Sequence, residues 1–159
     1  MKEGNVFKKV ICLEIMLEPR DLLYVIDAHV KHSKEEKNSV RFWDGRTPYY
    51  VHPFWCASMI LHETRLPENL RREGSRVLLY HDILEDTTSG LPEWLTKREI
   101  SLINGMTFES SEDEWKNLWG KTKEVRLLKV YDKTANLMDG IWMKEDRREQ
   151  HRIHLRKLI

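Results

Sequence analysis

The chain has 159 residues, long enough for one domain with a hydrophobic core. One third of its residues are charged, but the formal net charge is only +1, so the composition gives no reason to expect long-range attraction to nucleic acid or to a membrane surface. No apolar stretch approaches the roughly 20 residues that span a bilayer, and the apolar run at residues 10–17 is interrupted by Glu14 and has no small-residue cleavage site, so we expect a cytoplasmic protein without a membrane partner.

Apolar periodicity predicts helices through most of the first half of the chain. Residues 21–32 form the first predicted helix, whose broad apolar face consists of Leu22, Leu23, Val25, Ile26 and Ala28. A loop is expected at residues 34–48, because this stretch is polar and rich in turn residues. A second helix should begin at Pro53, and a central helix should cover residues 70–84 with Gly74 near its start.

The second half of the chain also has helical periodicity. Further helices are predicted at residues 93–103, 115–137 and 141–158. Asn104-Gly105 should end the first of these, Gly120 divides the second, and the acidic stretch 109–114 is predicted to be a mobile connection.

These patterns together predict an all-α protein. The only extended segment expected is at residues 10–17, and no repeat, flexible linker or low-complexity tract divides the chain. We therefore expect a single domain over residues 1–159. The two cysteines, Cys12 and Cys56, are too few and too far apart for a disulfide framework or a metal knuckle, and are predicted to be reduced thiols in the core.

The central helix carries an unusual cluster of ionisable residues within an apolar run. On a helix, Glu85 lies one turn after His81, and Asp86 lies one turn after Asp82. Buried carboxylates crowded in this way would repel one another and lose hydration. A bound cation relieves both costs. The alternative is an acidic helix end that is simply solvated.

Two other stretches carry side chains that could bind the same cation as the residues of the central helix. His52 precedes Pro53, which favours an extended backbone near the start of a helix and a side chain that can reach a neighbouring element, although a capping or core histidine is the alternative. Asp132 interrupts an apolar helix with Asn136 one turn later, and a carboxylate there needs a partner. That partner is either a metal or a cation such as Lys129 or Lys133.

Two histidines and two aspartates form a mixed nitrogen and oxygen set, which suits Mn, Fe, Co or Zn better than Mg or Ca. In six-coordinate geometry, four protein ligands leave positions for water and a phosphate oxygen. Spacing alone does not establish that these residues meet.

The motifs resemble those of a known superfamily. The matching segments, in order, are Ala28-His29, Thr47-Pro48-Tyr49 with His52-Pro53, His81-Asp82 with Glu85-Asp86-Thr87, Asn104-Gly105-Met106-Thr107, and Lys129 with Asp132-Lys133 and Asn136-Leu137. In this order and at these intervals, from about residue 20 to 140, they are similar to the HD superfamily of metal-dependent phosphohydrolases, and most similar to the hydrolase domain of the RelA/SpoT family and its small stand-alone members.

The resemblance implies an all-α HD-domain helical bundle with one Mn²⁺ ion. The implied ligands are His52, His81, Asp82 and Asp132. Glu85 and Asp86 would position and activate the attacking water. The implied reaction removes the 3′-pyrophosphate of the alarmone (p)ppGpp and leaves GDP or GTP.

The resemblance also implies how the nucleotide is held. A basic residue in the loop, either Arg41 or Arg46, would pack on the guanine base. Asn136 would help to hold the ribose, and Lys133 or Arg46 would stabilise charge on the phosphoryl oxygens.

The sequence departs from the family pattern at two places that concern nucleotide recognition. The family loop commonly contains Arg-Lys-x-Gly, whereas here residues 41–46 lack that lysine, and Met138 replaces a frequent arginine. The alternatives are therefore an HD phosphohydrolase acting on another nucleoside mono- or triphosphate, or a non-catalytic nucleotide or nucleic-acid binding module that uses the basic C-terminal helix. The sequence does not decide whether the chain forms a homo-oligomer.

The remaining histidines are given no direct role. His29 is predicted to be a structural residue near the site, and surface positions are predicted for His32, His62, His151 and His154. The C-terminal helix is basic, but its acidic residues dilute the charge, so we expect a solvated helix face rather than a nucleic-acid contact.

Overall fold

The computed structural model describes residues 17–35, 39–41, 44–140 and 143–159. The helices in these ranges are α1 (Pro19–Lys31), α2 (Val51–His62), α3 (Glu68–Tyr80), α4 (Ile83–Asp86), α5 (Lys97–Met106), α6 (Ser111–Asn117), α7 (Lys123–Asp139) and α8 (Glu145–Leu158), with a 3₁₀ turn at Leu118–Gly120. Extended pairing within the described ranges is limited to isolated bridges between Ser33 and Thr87 and between Val40 and Pro48. The all-α prediction is confirmed.

Helix α3 lies at the centre of the bundle. It packs most extensively against α2 and also contacts α1, α5 and α7, while α8 lies against α7. The α3 residues Val77, Leu78 and Leu79 are fully buried, as are Ile60 of α2 and Ile103 of α5. The central position of α3 places its C-terminal end, and the residues that follow it, inside the bundle. No helix of the described ranges has the length and apolar character needed to cross a membrane.

The predicted central helix is interrupted. Helix α3 ends at Tyr80 and the short helix α4 begins at Ile83, so the prediction of one helix over residues 70–84 is wrong. His81 and Asp82 occupy the junction and both keep right-handed helical backbone angles, while the Asp86 amide donates to the Asp82 carbonyl at 2.9 Å. The interruption therefore redirects the chain without losing the one-turn relation between Asp82 and Asp86.

Two glycines have packing roles that sequence reasoning missed. Gly74 lies inside α3 rather than at its start, and a Cβ atom there would be 2.6 Å from Ile60 Cδ1. Gly105 does not end α5, which continues to Met106, and a Cβ atom there would be 2.8 Å from Val125 Cγ2. Both glycines allow two helices to approach closely, which outweighs their poor helix propensity.

The acidic stretch 109–114 is largely helical, so the prediction of a mobile connection is wrong. The Ser110 hydroxyl accepts a hydrogen bond from the Asp113 amide at 3.1 Å, which caps the first turn of α6. The predicted division at Gly120 is confirmed by the 3₁₀ turn that precedes α7. Residues 141–142, at the predicted start of the last helix, and residues 10–16 of the predicted extended segment lie outside the described ranges.

Candidate metal centre and its cavity

His52 lies in the first turn of α2 rather than before the helix, so the expected extended backbone is wrong. The helix begins at Val51, and the His52 amide donates to the Tyr49 carbonyl at 3.0 Å. Pro53 is accommodated as the third helical residue because the first amides of a helix have no intrahelical acceptor. The His52 side chain is 3% exposed and points toward α7, where its Nε2 atom lies 3.2 Å from Asp132 Oδ1.

His81 is held in one tautomer by the end of α3. Its Nδ1 atom lies 2.6 Å from the Leu78 carbonyl oxygen, which can only accept, so Nδ1 carries the proton. The Nε2 atom is buried and makes no hydrogen bond among the described residues, and Asp82 Oδ1 lies 3.0 Å away from it. An imidazole whose Nδ1–H is bound to a carbonyl oxygen and whose Nε2 makes no hydrogen bond is arranged as histidine metal ligands usually are.

Four predicted ligands meet between α2, the α3–α4 junction and α7. His52 Nε2 lies 3.2 Å from Asp132 Oδ1 and 3.7 Å from Asp82 Oδ2. His81 Nε2 lies 3.0 Å from Asp82 Oδ1 and 3.8 Å from Asp132 Oδ1. Ligand bonds of about 2.0–2.2 Å place adjacent ligands roughly 3–3.5 Å apart, so these separations fit one transition-metal ion after small adjustments. The chemistry of the donor set and the buried His81 Nε2 atom, which makes no hydrogen bond among the described residues, both fit a divalent metal.

Cys56 is a free thiol buried in the core, as predicted, and it also lies beside this group, which the sequence did not predict. Its thiol is fully buried, and its Sγ atom lies 3.7 Å from His52 Nε2. The donor atoms of His52, Cys56 and His81 all lie within 4.8 Å of one another. The available signal was the spacing of four residues from His52, which places both side chains on the same face of α2.

Asp132 has partners on both of its oxygens. Oδ2 lies 3.3 Å from Lys129 Nζ and 3.5 Å from Lys133 Nζ, whereas Oδ1 faces the histidines. Burial opposes ionisation, but Lys133 and Lys129 outweigh it and hold the pKa of Asp132 well below its usual value. Asp132 can therefore form ion pairs with the lysines and also bind a metal, because the two interactions use different oxygens.

The pKa values of the two imidazoles are shifted in opposite directions. Burial lowers the pKa of His52 despite its contact with Asp132. Burial would also lower the pKa of His81, but the charges of Asp82 and Asp132 outweigh it and raise that pKa to about 9. A cation at this position would compete with the proton for the His81 lone pair.

Glu85 and Asp86 lie beside the candidate ligands on α4. Burial, partly offset by Lys129, raises the pKa of Glu85 to about 7. Burial and the charge of Asp82 raise the pKa of Asp86 to about 6. The Phe108 amide donates to Glu85 Oε1 at 2.8 Å and fixes that carboxyl group. Both groups can therefore exchange a proton near neutral pH.

The centre opens into a cavity of about 570 Å³. This is within the usual range of small-molecule sites. Its lining comprises Val40, Arg41, Tyr49, His52, Asp82, Glu85, Asp86, Ser111, Glu114, Lys129, Asp132, Lys133, Asn136, Arg147, Gln150, His151 and His154. His81 lies behind this surface, and Arg46 is exposed and does not line the cavity.

Arg41 and Asn136 form a connected polar wall. Arg41 Nη2 donates to Asn136 Oδ1 at 2.7 Å, and Asn136 Nδ2 donates to Asp132 Oδ1 at 2.7 Å. The Arg41 guanidinium also lies 5.1 Å from the centre of the Tyr49 ring, whose hydroxyl donates to Asp82 Oδ2 at 3.0 Å. This chain of contacts joins Arg41 to two candidate metal ligands, Asp132 and Asp82.

Glu114 is a second buried residue that sequence reasoning missed. Its Oε2 atom lies 2.7 Å from Lys133 Nζ, and its Oε1 atom lies 3.2 Å from Lys129 Nζ. Burial opposes ionisation, but Lys129 and Lys133 outweigh it and lower the pKa of Glu114. No pattern in the acidic stretch distinguishes this glutamate from its solvated neighbours.

Helix α8 closes one side of the cavity. His151 and His154 line it, so their predicted surface positions are wrong, and burial lowers the pKa of each to about 4. Their spacing with Arg147 and Gln150 at three to four residues was the available signal. His32 and His62 are exposed as predicted. His29 is fully buried with its ring centre 5.0 Å from that of Tyr49, so it lies beside the site.

Comparison with known proteins supports the fold. No protein-family model matches the sequence, and no curated protein matches it. A solved structure of a metazoan orthologue of SpoT, a protein that hydrolyses ppGpp and plays a role in starvation responses, is similar with a TM-score of 0.63. The two sequences are 20% identical, and the match covers 87% of this chain and 81% of that chain. The chain therefore shares the all-α fold of that structure, in agreement with the helical bundle that the motifs predicted.

Proposed function

We propose that this protein is a metal-dependent phosphohydrolase that removes the 3′-pyrophosphate of guanosine 3′,5′-bis(diphosphate), ppGpp. The observation that carries the proposal is the convergence of His52, His81, Asp82 and Asp132, which come from separate elements, at the head of one cavity. The fold shared with a metazoan orthologue of SpoT that hydrolyses ppGpp supports the choice of substrate. This choice of substrate is consistent with the cytoplasmic location that the sequence predicts.

We assign Mn²⁺ as the metal and these four residues as the side chains that would hold it. A divalent metal in such a site polarises a phosphoryl oxygen and makes hydroxide available near neutral pH. The Asn136 amide orients Asp132, and the Leu78 carbonyl orients His81.

The other residues of the cavity have separate tasks. Glu85 accepts a proton from the attacking water, since its pKa lies near neutrality. Asp86, whose pKa also lies near neutrality, either shares this role or orients the water. Lys133 neutralises charge on the phosphoryl oxygens. Arg41, which lines the cavity, contacts the guanine base, and Asn136 contacts the ribose. Arg46 receives no part here, because it does not line the cavity.

A nucleotide panel tests the proposal. The purified protein is incubated with Mn²⁺ and ppGpp, GTP, ATP or nucleoside monophosphates, and the products are separated. Pyrophosphate and GDP from ppGpp are expected, and His81→Ala should lose nearly all turnover. His62→Ala is the matched control, because His62 is exposed on α2. Full metal-dependent activity of His81→Ala would refute the assigned site.

A second candidate is hydrolysis of another nucleotide. The loop at residues 41–46 departs from the family pattern, and Met138, which replaces a frequent arginine, is 59% exposed. Orthophosphate or triphosphate released from other nucleotides in the same panel would favour this alternative. The non-catalytic alternative has less support, because Arg148 and Arg152 on α8 pair with glutamates of the same helix rather than forming an open basic patch. Salt-sensitive nucleic-acid binding without turnover would favour it.

A further inference from the structure

We propose that Cys56 is a fifth protein ligand of the metal centre and raises the affinity of the site for softer metals relative to Mn²⁺. The inference rests on the proposed function, because it concerns the same ion. It goes further by assigning a sulfur donor to a site that the HD-type motifs describe with nitrogen and oxygen donors alone.

The geometry of α2 carries the first part of the inference. His52 and Cys56 are one helical turn apart and are both buried. Cys56 Sγ lies 3.7 Å from His52 Nε2 and 3.9 Å from His52 Nδ1. A ligand set with a bond of about 2.3 Å to sulfur and about 2.1 Å to nitrogen has sulfur–nitrogen separations of roughly 3–3.6 Å. Because Sγ is nearly equidistant from the two ring nitrogens, coordination also requires the thiol to rotate toward the Nε2 side, which a change of the Cys56 side-chain torsion provides.

The second part comes from His81, on a different element. Its buried Nε2 atom makes no hydrogen bond among the described residues. His81, His52 and Cys56 each offer one donor atom to a group in which all three atoms lie within 4.8 Å of one another. The thiol is therefore not an isolated core cysteine, because it adjoins an unsatisfied ligand that converges on the same space.

The chemistry of the donors gives the consequence. Thiolate favours Zn²⁺, Fe²⁺ and Co²⁺, whereas carboxylate and water suit Mn²⁺. Coordination forms a sulfur–metal bond and releases the thiol proton to solvent. A thiolate should therefore increase the advantage in affinity that Co²⁺ and Zn²⁺ already have over Mn²⁺ at a site of histidines and aspartates.

A cobalt titration of the full chain tests the inference. The protein is first treated with a chelator, and Co²⁺ is then added while the absorption spectrum is recorded. We expect visible d–d bands together with a near-ultraviolet thiolate-to-cobalt charge-transfer band. Cys56→Ser should lose the charge-transfer band, whereas Cys12→Ser, a change at the chain's other cysteine, should keep it. The ratio of Co²⁺ to Mn²⁺ affinity should fall about tenfold in Cys56→Ser, a usual size for changes around a metal ligand set.

The outcomes separate the two proposals. Visible bands without a charge-transfer band in the wild-type protein would overturn the role of Cys56 and leave the metal centre intact. Failure to bind Co²⁺, or binding unchanged by His81→Ala, would contradict the proposed function itself. X-ray absorption of the Zn²⁺-loaded wild-type protein needs no variant, and a sulfur neighbour at about 2.3 Å is expected. A zinc shell with nitrogen and oxygen neighbours only would also overturn the inference.

Discussion

At the scale of single residues, Asn136 connects Arg41 to the candidate metal ligand Asp132. Its amide has only one productive orientation, because the oxygen accepts from Arg41 and the nitrogen donates to Asp132. Asp132 Oδ1, which receives this hydrogen bond, is also the oxygen nearest to His52 Nε2. The amide therefore holds a candidate ligand in place without contacting the ion.

We predict that Asn136→Ala weakens metal binding about tenfold, because loss of a hydrogen bond to a ligand commonly has an effect of this size. Isothermal titration of the chelator-treated protein with Mn²⁺ measures the change. Asn104→Ala is the control, since Asn104 is exposed on α5. Equal affinities of Asn136→Ala and the wild-type protein would show that Asp132 is oriented without this amide.

The sequence predicts some of these residues better than others. His81, Asp82 and Asp132 interrupt apolar runs, where an ionisable group is costly and therefore conspicuous. Cys56 and Glu114 give no such signal, since cysteine is a normal core residue and Glu114 lies in a polar stretch. Their roles depend on neighbours from other elements, which local sequence does not specify.

At the scale of helices, α6 is attached to the cavity by one carboxylate. Glu114 lies 2.7 Å from Lys133 Nζ and 3.2 Å from Lys129 Nζ, and both lysines lie on α7. The same lysines contact Asp132. Glu114 and Asp132 together balance the charge of two buried ammonium groups, so α6 contributes to the electrostatics of the centre.

We predict that Glu114→Gln destabilises the protein by about 3 kcal/mol, because two buried ammonium groups lose a charged partner. Chemical denaturation followed by circular dichroism measures the free energy of unfolding. Glu112→Gln is the control on the same helix, since Glu112 forms an exposed pair with Lys116 and such pairs contribute little. If the two variants were equally stable, the buried cluster would not hold α6 in place.

Helix positions could be predicted where apolar periodicity is strong, as in α1 and α7. The wrong predictions concern segments in which tertiary packing, and not the local pattern, determines whether a helix forms or continues. Gly105 continues α5 because Val125 packs against it, and α6 forms in a stretch too polar for a periodic signal. The break after Tyr80 was missed because the flanking residues have an uninterrupted helical pattern.

At the scale of the whole molecule, the cavity is completed by the C-terminal helix. His151 and His154 of α8 line the cavity together with Lys133 and Glu114. His154 also stacks on Trp115 of α6, with ring centres 4.1 Å apart. The packing of α8 thus depends on imidazoles that are buried in the neutral form.

We predict that stability falls with acid partly through these histidines. Burial and the charge of Lys133 lower the pKa of His154 to about 4, below its value of about 6.5 in an unfolded chain. Its contribution to stability is therefore full above about pH 6.5 and is lost as the pH falls from 6.5 toward 4. His154→Gln should reduce the fall in thermal midpoint between about pH 7 and pH 5. His62→Gln, at an exposed position on α2, is the control, and identical slopes for His154→Gln and wild type would contradict the prediction.

The convergence of distant segments could not be derived from spacing alone. His52 and Asp132 are eighty residues apart and meet only because α2 and α7 both pack around α3. Sequence motifs predicted this meeting through resemblance, whereas the position of α8 over the cavity had no motif to indicate it.

Anomalous X-ray scattering from crystals grown with Mn²⁺ tests the metal centre most directly. One strong peak at the manganese edge is expected at about 2.0–2.3 Å from donor atoms of His52, His81, Asp82 and Asp132. No peak, or a peak bound elsewhere while these four side chains remain without a metal, would contradict the account.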